Sequence, residues 1–236
     1  MFLPKQELLS LAAGGARDTA MLMPSQTASA NERPRRTQAE RREATRTALL
    51  DAAIDCLVED GYAKTTTRGI AKRAGVTPGA LQHHFSSKAE LLGELVGYIR
   101  TKIASEFFSL GIPKTSSVRK RHELLLERMW RVYRGPYFVA LLELAIGART
   151  DPTLRAHLAG ARDELAHFNA LAAPVLYPEH ADQPELVQLI VTGQATMRGL
   201  ALLGLAGEVD PDREWPAVRR HILAMNAAVL GDPSLA

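Results

Sequence analysis

The strongest constraint on the fold is a helical spacing of apolar residues that continues along almost the whole chain after residue 36. Leu50, Ala53, Ile54 and Leu57 are an early example, because they lie three and four positions apart on one helical face. The alternation of apolar and polar residues that is typical of half-buried strands is absent. The sequence therefore predicts an all-α fold.

Capping residues, glycines and prolines divide this pattern into separate helices. Gly61 and Gly75 are expected to end helices, Pro78 suits a first helical turn, and Ser87 and Glu90 have the spacing of a capping box. The predicted helices cover residues 37–60, 67–74, 78–85, 88–109, 117–134, 136–149, 152–175, 184–206 and 212–230. Residues 1–36 lack such a pattern and are expected to form a disordered tail.

Composition excludes several classes of protein. The chain has 236 residues, of which 46% are hydrophobic and 23% charged, as in ordinary globular proteins. Cys56 is the only cysteine, so a disulfide framework is excluded and a reducing compartment is expected. The most apolar long window, residues 186–207, contains Arg198 near its middle, which argues against a membrane span. We expect a cytoplasmic protein that does not contact a membrane.

Motifs that carry catalysis are missing from the sequence. It contains neither G-x-S-x-G nor H-E-x-x-H, and it lacks a Walker loop and a dinucleotide-binding glycine turn after a strand. The sequence therefore predicts that the protein is not an enzyme and needs no cofactor.

The positive charge is concentrated in one part of the chain. The formal net charge is only +3, but basic side chains exceed acidic ones by four within residues 33–100, whereas residues 101–236 are balanced. Six arginines lie between Arg33 and Arg46. A basic segment joined to a neutral, apolar one indicates a polyanion contact on the first, although a solvated helix start explains the charge equally well.

Residues 66–85, TTRGIAKRAGVTPGALQHHF, have the pattern of a helix-turn-helix motif. Ala71 is small where the second helix would cross the first, and Gly75 can adopt the positive φ that a tight turn requires. The residues expected to face inward and hold the crossing are Val76, Leu81 and Phe85.

A longer stretch, EDGYAKTTTRGIAKRAGVTPGALQHHFSSKAELL at residues 59–92, resembles the DNA-binding domain of the TetR family of bacterial transcriptional regulators. The resemblance covers about residues 40–100. It implies a helix-turn-helix DNA-binding domain in residues 37–100 and a helical C-terminal domain for dimerisation and ligand binding in residues 101–236. It also implies a homodimer on a palindromic operator of double-stranded DNA, most often a repressor with a small-molecule inducer.

Two other functions stay open at this stage. One is a DNA-binding dimer without small-molecule input, which a protein partner regulates. The other is a helical enzyme that has kept a vestigial helix-turn-helix.

The resemblance also assigns residues to the DNA contact. They are Thr67, Arg68, Thr77, Pro78, Gly79, Gln82, His83, His84 and Lys88. The family commonly has Tyr where this chain has Gln82, and a Gln side chain can pair with adenine N6 and N7. His84 suits a phosphate contact or packing equally well, and Arg68 and Lys88 are expected to contact phosphates. Arg33, Arg35 and Arg36 could enter the minor groove or make loose phosphate contacts.

The window 184–207 is apolar on two faces, so one side is expected to pack on its own domain and the other on a partner. The predicted dimer interface comprises Leu186, Ile190, Gly193, Met197, Leu200 and Gly204, together with Trp215, Val218 and Ile222 of the last helix. A second apolar stripe comprises Val187, Val191, Leu202 and Leu205. The alternative is an internal helix in a monomeric bundle.

A ligand pocket is predicted where aromatic side chains alternate with polar groups in the C-terminal half. The residues expected to line it are Trp130, Tyr133, Arg134, Tyr137, Phe138, Leu142, Glu143 and Phe168, and ordinary core packing is the alternative for each. Asp163 and His167 are one helical turn apart, but no third ligand has a matching spacing, so no metal site is expected.

Overall fold

The computed structural model describes residues 37–235 except 110, 114 and 116. Its α-helices are α1 (Gln38–Lys64), α2 (Thr67–Arg73), α3 (Pro78–His84), α4 (Lys88–Phe108), α5 (Val118–Arg134), α6 (Pro136–Thr150), α7 (Pro152–Leu158), α8 (Ala161–Leu176), α9 (Leu186–Leu205) and α10 (Pro211–Leu230). Two 3-10 turns cover Pro178–His180 and Pro233–Leu235. The described residues contain no strand, so the all-α prediction is confirmed. The predicted tail 1–36 and its arginines lie outside the described residues.

Side-chain caps explain where the first helices begin. The hydroxyls of Thr66, Thr77 and Ser87 accept the backbone N–H groups three residues ahead, at 3.0, 3.1 and 3.0 Å. Thr37 and Glu40 form a complete capping box at the start of α1. These short-range bonds set the starts of α1–α4.

Two helix boundaries differ from the prediction. Gly61 leaves the helical conformation at φ 75°, as expected, but the chain then resumes one turn that reaches Lys64. The single helix predicted over residues 152–175 is wrong, because the structure has α7 and α8 there. The break falls at Gly160, which is a poor helix former and gives α8 no side-chain cap.

One hydrophobic core joins the first four helices to α6 and α7. Its fully buried members include Leu49, Leu57, Ile70, Leu91, Leu95, Ala140 and Leu154. α6 packs along α1, and α7 packs against α4. Because α4 runs unbroken past residue 100, the division of the chain at that point stays a prediction.

The C-terminal half surrounds α9, which contacts α5, α8 and α10. Among the described residues, α9 alone is long and apolar enough to span a membrane, with a mean hydropathy of 1.3, and core helices of soluble proteins pass the same test. It packs on three helices of its own chain, and 39% of its most apolar window is buried.

Candidate functional site

α2 and α3 cross at a tight turn that packing holds in place. Gly75 adopts φ 69°, and the N–H of Val76 donates to the carbonyl of Ala71 at 3.0 Å. Ala71 is completely buried, and Leu81 and Phe85 are each 1% exposed. Because these three anchors fix the crossing, the outer face of α3 has a defined direction.

Most of the predicted DNA-contact residues lie on α3 or at its start. Thr77, Pro78, Gly79, Gln82 and His83 are exposed there, and His84 is half-buried. Thr67 and Arg68 lie at the start of α2, where Arg68 is exposed and Thr67 is half-buried. The Thr77 hydroxyl already accepts the N–H of Ala80 as the cap of α3. An α-helix fits the major groove, so this face can present Gln82 and His83 to base edges.

His84 lies between the outer face and the core. Burial lowers the pKa of its imidazole, and the neighbouring His83 and Arg42 lower it further. The ring is therefore neutral near pH 7 and acts as a polar group. Arg42 comes from α1, far along the chain from α3, so its effect on His84 could not be predicted from the sequence.

Lys88 turns away from the outer face. Its Nζ donates to the carbonyl oxygen of Tyr62 at 3.1 Å and lies 4.1 Å from the centre of the Tyr62 ring. Burial lowers the pKa of this ammonium. In this conformation Lys88 holds the end of α1, and it must leave Tyr62 to reach a phosphate.

Tyr62 joins the helix-turn-helix region to the C-terminal half. Its backbone N–H donates to Glu143 Oε2 at 2.7 Å, and its hydroxyl donates to Asp151 Oδ2 at 2.6 Å. Burial, followed by the bond to Asp151, raises the pKa of Tyr62 to about 12. The ring lies flat on Gly147, where a Cβ would come within 2.5 Å of it. Glu143, predicted to line a ligand pocket, lies in this joint instead, and Tyr62 is too far from Glu143 and Asp151 along the chain for their contacts to be predicted.

A second candidate site is a cavity within the C-terminal half. It has about 70 Å³ of free volume. Its walls come from α4, α5, α8, α9 and α10 and are mostly apolar, with Phe107, Phe108, Leu125, Met129, Phe168, Leu189 and Met197 among them. The lining is typical of a small-molecule site, and a ligand of several atoms would have to move the walls apart to enter.

Buried amides interrupt this apolar lining. Asn169 and Gln194 donate to each other's side-chain oxygens at 3.3 and 3.2 Å. Asn226 also lines the cavity, and its Oδ1 is buried without a hydrogen-bond partner. A ligand that donates a hydrogen bond would satisfy this oxygen. Asn169 and Gln194, polar residues on otherwise apolar helix faces, were the sequence signal that could have indicated the cavity.

Of the eight predicted pocket residues, Phe168 alone lines this cavity. Trp130 stacks on Trp215 with ring centres 4.8 Å apart, and the Tyr133 hydroxyl accepts from Arg198 at 3.2 Å. The remaining five lie elsewhere: Arg134 pairs with Asp212, Tyr137 packs on the N-terminal core, Phe138 packs on Tyr133, Leu142 is half-buried, and Glu143 binds Tyr62. The aromatic residues of α5 and α6 therefore fill ordinary core, which was the alternative to a ligand pocket.

The predicted dimer stripe of α9 and α10 faces the chain's own core. Leu186, Gly193, Met197, Leu200, Trp215 and Ile222 are buried within the single chain, and Ile190, Val218 and Gly204 are half-buried. The second stripe is the open one, since Val191, Leu202 and Leu205 are 39, 46 and 55% exposed. Any partner that covers α9 therefore contacts the second stripe.

Metal-ligand spacing occurs at one place in the described residues, where His122, Glu179 and His180 come together. Asp163 and His167 are both exposed and are not part of this group.

Comparison with known proteins covers both halves of the chain. Residues 49–95 match the model of bacterial regulatory proteins of the tetR family. An uncharacterised helix-turn-helix transcriptional regulator of Mycobacterium tuberculosis is 32% identical over 173 residues, which is 70% of this chain and 88% of the relative. The regulator CymR of Pseudomonas putida is 33% identical over 121 residues, or 51% of this chain and 59% of CymR.

Solved structures share the fold. A transcriptional regulator from Rhodococcus sp. RHA1 has a TM-score of 0.63 at 22% identity and covers 78% of this chain and 96% of its own. FadR from Bacillus subtilis, solved with stearoyl-CoA, has a TM-score of 0.56 at 16% identity, over 75% of this chain and 96% of its own. A regulator from Saccharomonospora viridis, solved with choline, has a TM-score of 0.55 at 19% identity, over 78% of this chain and 96% of its own.

Proposed function

Since the chain belongs to the TetR family of bacterial transcriptional regulators, we propose that it is a repressor that binds a palindromic operator as a homodimer. A small molecule that fills the C-terminal cavity releases it from the operator. The observation that carries this proposal is the combination, in one chain, of an exposed recognition helix and a mostly apolar cavity lined by five helices.

The DNA contact uses the outer face of α3. Gln82 and His83 reach base edges in the major groove, and Gly79 allows the backbone of α3 to approach the DNA closely. Thr67, Arg68, Thr77 and Pro78 lie along the sugar–phosphate backbone, and Lys88 joins them after it leaves Tyr62. Two copies related by a two-fold axis would read half-sites about one helical turn apart.

The dimer uses the open stripe of α9. Val191, Leu202 and Leu205 supply apolar area, and Gly199 has nothing within 4 Å of a Cβ position, so a partner helix can approach closely. α10 lies beside α9 and completes the surface. Covering this stripe removes exposed apolar side chains from water, which favours association.

The ligand is a mainly apolar molecule that carries at least one hydrogen-bond donor. Apolar walls favour burial of hydrocarbon, and Asn169, Gln194 and Asn226 give the polar group a place. Two proteins with the same fold were solved with small molecules bound, one with choline and one with stearoyl-CoA.

α4 connects the two sites. Its last turns carry Phe107 and Phe108 into the cavity, and its first turn follows the recognition helix directly. The helix has 21 residues and is about 32 Å long. A ligand that displaces its cavity end would shift the equilibrium between two positions of α3.

Selection on random duplex DNA at fixed salt tests this function. The pool bound by the purified protein should contain an inverted repeat with one half-site spacing, whereas salt-sensitive binding without a motif would contradict the proposal. Thermal-shift screening then identifies metabolites that stabilise the protein, and these should lower its affinity for the selected operator. Stabilising compounds that leave operator affinity unchanged would contradict ligand control and favour regulation by a protein partner.

A further inference from the structure

We propose that His122, Glu179 and His180, with Asp232 beside them, form a binding site for one divalent first-row transition-metal ion such as Zn²⁺. The residues come from the start of α5, the turn Pro178–His180 and the segment after α10. None of them belongs to the helix-turn-helix, and His122 alone among them lines the cavity.

Two buried imidazoles lie beside the carboxylates. The side chains of His122 and His180 are 1 and 6% exposed. His180 Nε2 is enclosed, and the Asp232 carboxylate near it makes no well-aligned hydrogen bond with it. On His122, the nitrogen that faces Glu179 is Nε2. Buried polar atoms in folded proteins are nearly always paired, so His180 Nε2 needs a partner, and a metal ion between the rings and the carboxylates would supply one.

The spacing suits a single ion. One ligand atom from each of His122, Glu179 and His180 lies within 4.8 Å of the others. His122 Nε2 is 3.2 Å from Glu179 Oε1, and His180 Nε2 is 3.3 Å from Asp232 Oδ2. Ligands bound at about 2.1 Å to a tetrahedral ion are about 3.4 Å apart, so small side-chain rotations bring these atoms into place.

Both carboxylates are held by hydrogen bonds on their far side. Arg121 pairs with Glu179 Oε2, and the backbone N–H of Ser234 donates to Asp232 Oδ1 at 2.9 Å. Each carboxylate therefore keeps its other oxygen for the histidines. Ligating carboxylates in metal sites are oriented by outer partners in the same way.

The donor set selects the class of ion. Imidazole nitrogens with carboxylate oxygens favour Zn²⁺, Ni²⁺, Co²⁺ and Fe²⁺, whereas Mg²⁺ takes oxygen ligands. His122 also lines the cavity, so the ion would lie in its wall. A bound ion would fasten the Pro178–His180 turn to α5 and to the C-terminal segment, and it should stabilise the fold.

The test uses the full chain without a histidine tag, stripped with a chelator that is then removed. Calorimetric titration with Zn²⁺ should give one ion per chain, and none with Mg²⁺. Co²⁺ should give visible d–d absorption stronger than that of the hydrated ion, and Zn²⁺ should raise the thermal unfolding midpoint. A wild-type chain that binds no Zn²⁺ overturns the proposal, whether or not the protein binds an operator.

Variants locate the ion. His180→Asn and Glu179→Gln should each weaken Zn²⁺ binding by at least about 10- to 100-fold, the loss that follows removal of even an outer partner. His167→Asn removes an exposed histidine and is the matched control, which should bind like the wild type. Glu179→Gln keeps the side-chain shape and is decisive if His180→Asn fails to fold. Wild-type affinity in Glu179→Gln, or loss in His167→Asn, overturns the site.

Discussion

At the scale of single residues, the proposed contact of Gln82 with a base can be tested directly. It is exposed on α3, and its amide can pair with both N6 and N7 of adenine. Gln82→Ala should cost about 1–3 kcal/mol on the selected operator and relax the preference at one base pair. The base preference is measured by binding the variant, at one salt concentration, to operators that are changed at each position in turn. An unchanged base preference would remove Gln82 from base contact.

Gly147 is the residue on which the joint at Tyr62 depends. A Cβ there would lie 2.5 Å from the Tyr62 ring, so Gly147→Ala should lower the free energy of unfolding by about 1–3 kcal/mol despite the better helix propensity of Ala. Gly97→Ala is the control, because Gly97 lies in α4 with nothing within 4 Å of its Cβ position. It should raise stability by about 0.5–1 kcal/mol. Urea unfolding at one protein concentration measures the stability of both variants. Equal changes in Gly147→Ala and Gly97→Ala would contradict the close contact between Gly147 and the Tyr62 ring.

At the scale of elements, helix positions were predictable because local chemistry determines them. Thr66, Thr77 and Ser87 cap the helices that the sequence placed after them. Gly160 broke a helix predicted as continuous, since a glycine alone does not tell a break from a tolerated position. Which apolar stripe of α9 faces inward was not predictable, because both stripes have helical spacing and only packing against α5 and α8 distinguishes them.

The open stripe of α9 leads to a prediction about assembly. Leu202→Glu places a charge in an apolar contact, so it should convert the dimer to monomers while the helix content stays unchanged. Ile146→Glu is the matched control, because Ile146 is 49% exposed and belongs to α6, not to α9 or α10. It should remain dimeric. Sedimentation equilibrium measures the oligomeric state, and far-UV circular dichroism measures the helix content. A dimeric Leu202→Glu would place the interface elsewhere.

At the scale of the whole molecule, most of the cavity could not be predicted from the sequence, where only the polar residues Asn169 and Gln194 on apolar helix faces were a sign of it. Its walls come from five helices, and Phe107 and Gln194 meet there only through tertiary packing. The aromatic residues that the sequence favoured fill a neighbouring core, where Trp130 stacks on Trp215. Aromatic spacing indicates burial, but it does not tell whether the space beside a ring is filled by another side chain or is left for a ligand.

Coupling between cavity and DNA contact can be tested without knowing the ligand. Ala172 is 4% exposed and lines the cavity from α8, so Ala172→Phe fills part of the space that a ligand would take. If filling the cavity displaces α4, operator affinity should fall about 10-fold, within the usual 1–3 kcal/mol of allosteric coupling. Ala170→Phe adds the same ring on the exposed side of α8 and should bind the operator like the wild type. Because overpacking also costs stability, both variants are compared at a temperature where circular dichroism shows them folded. Equal operator affinity in the two folded variants would mean that the cavity and α3 are not coupled through α4.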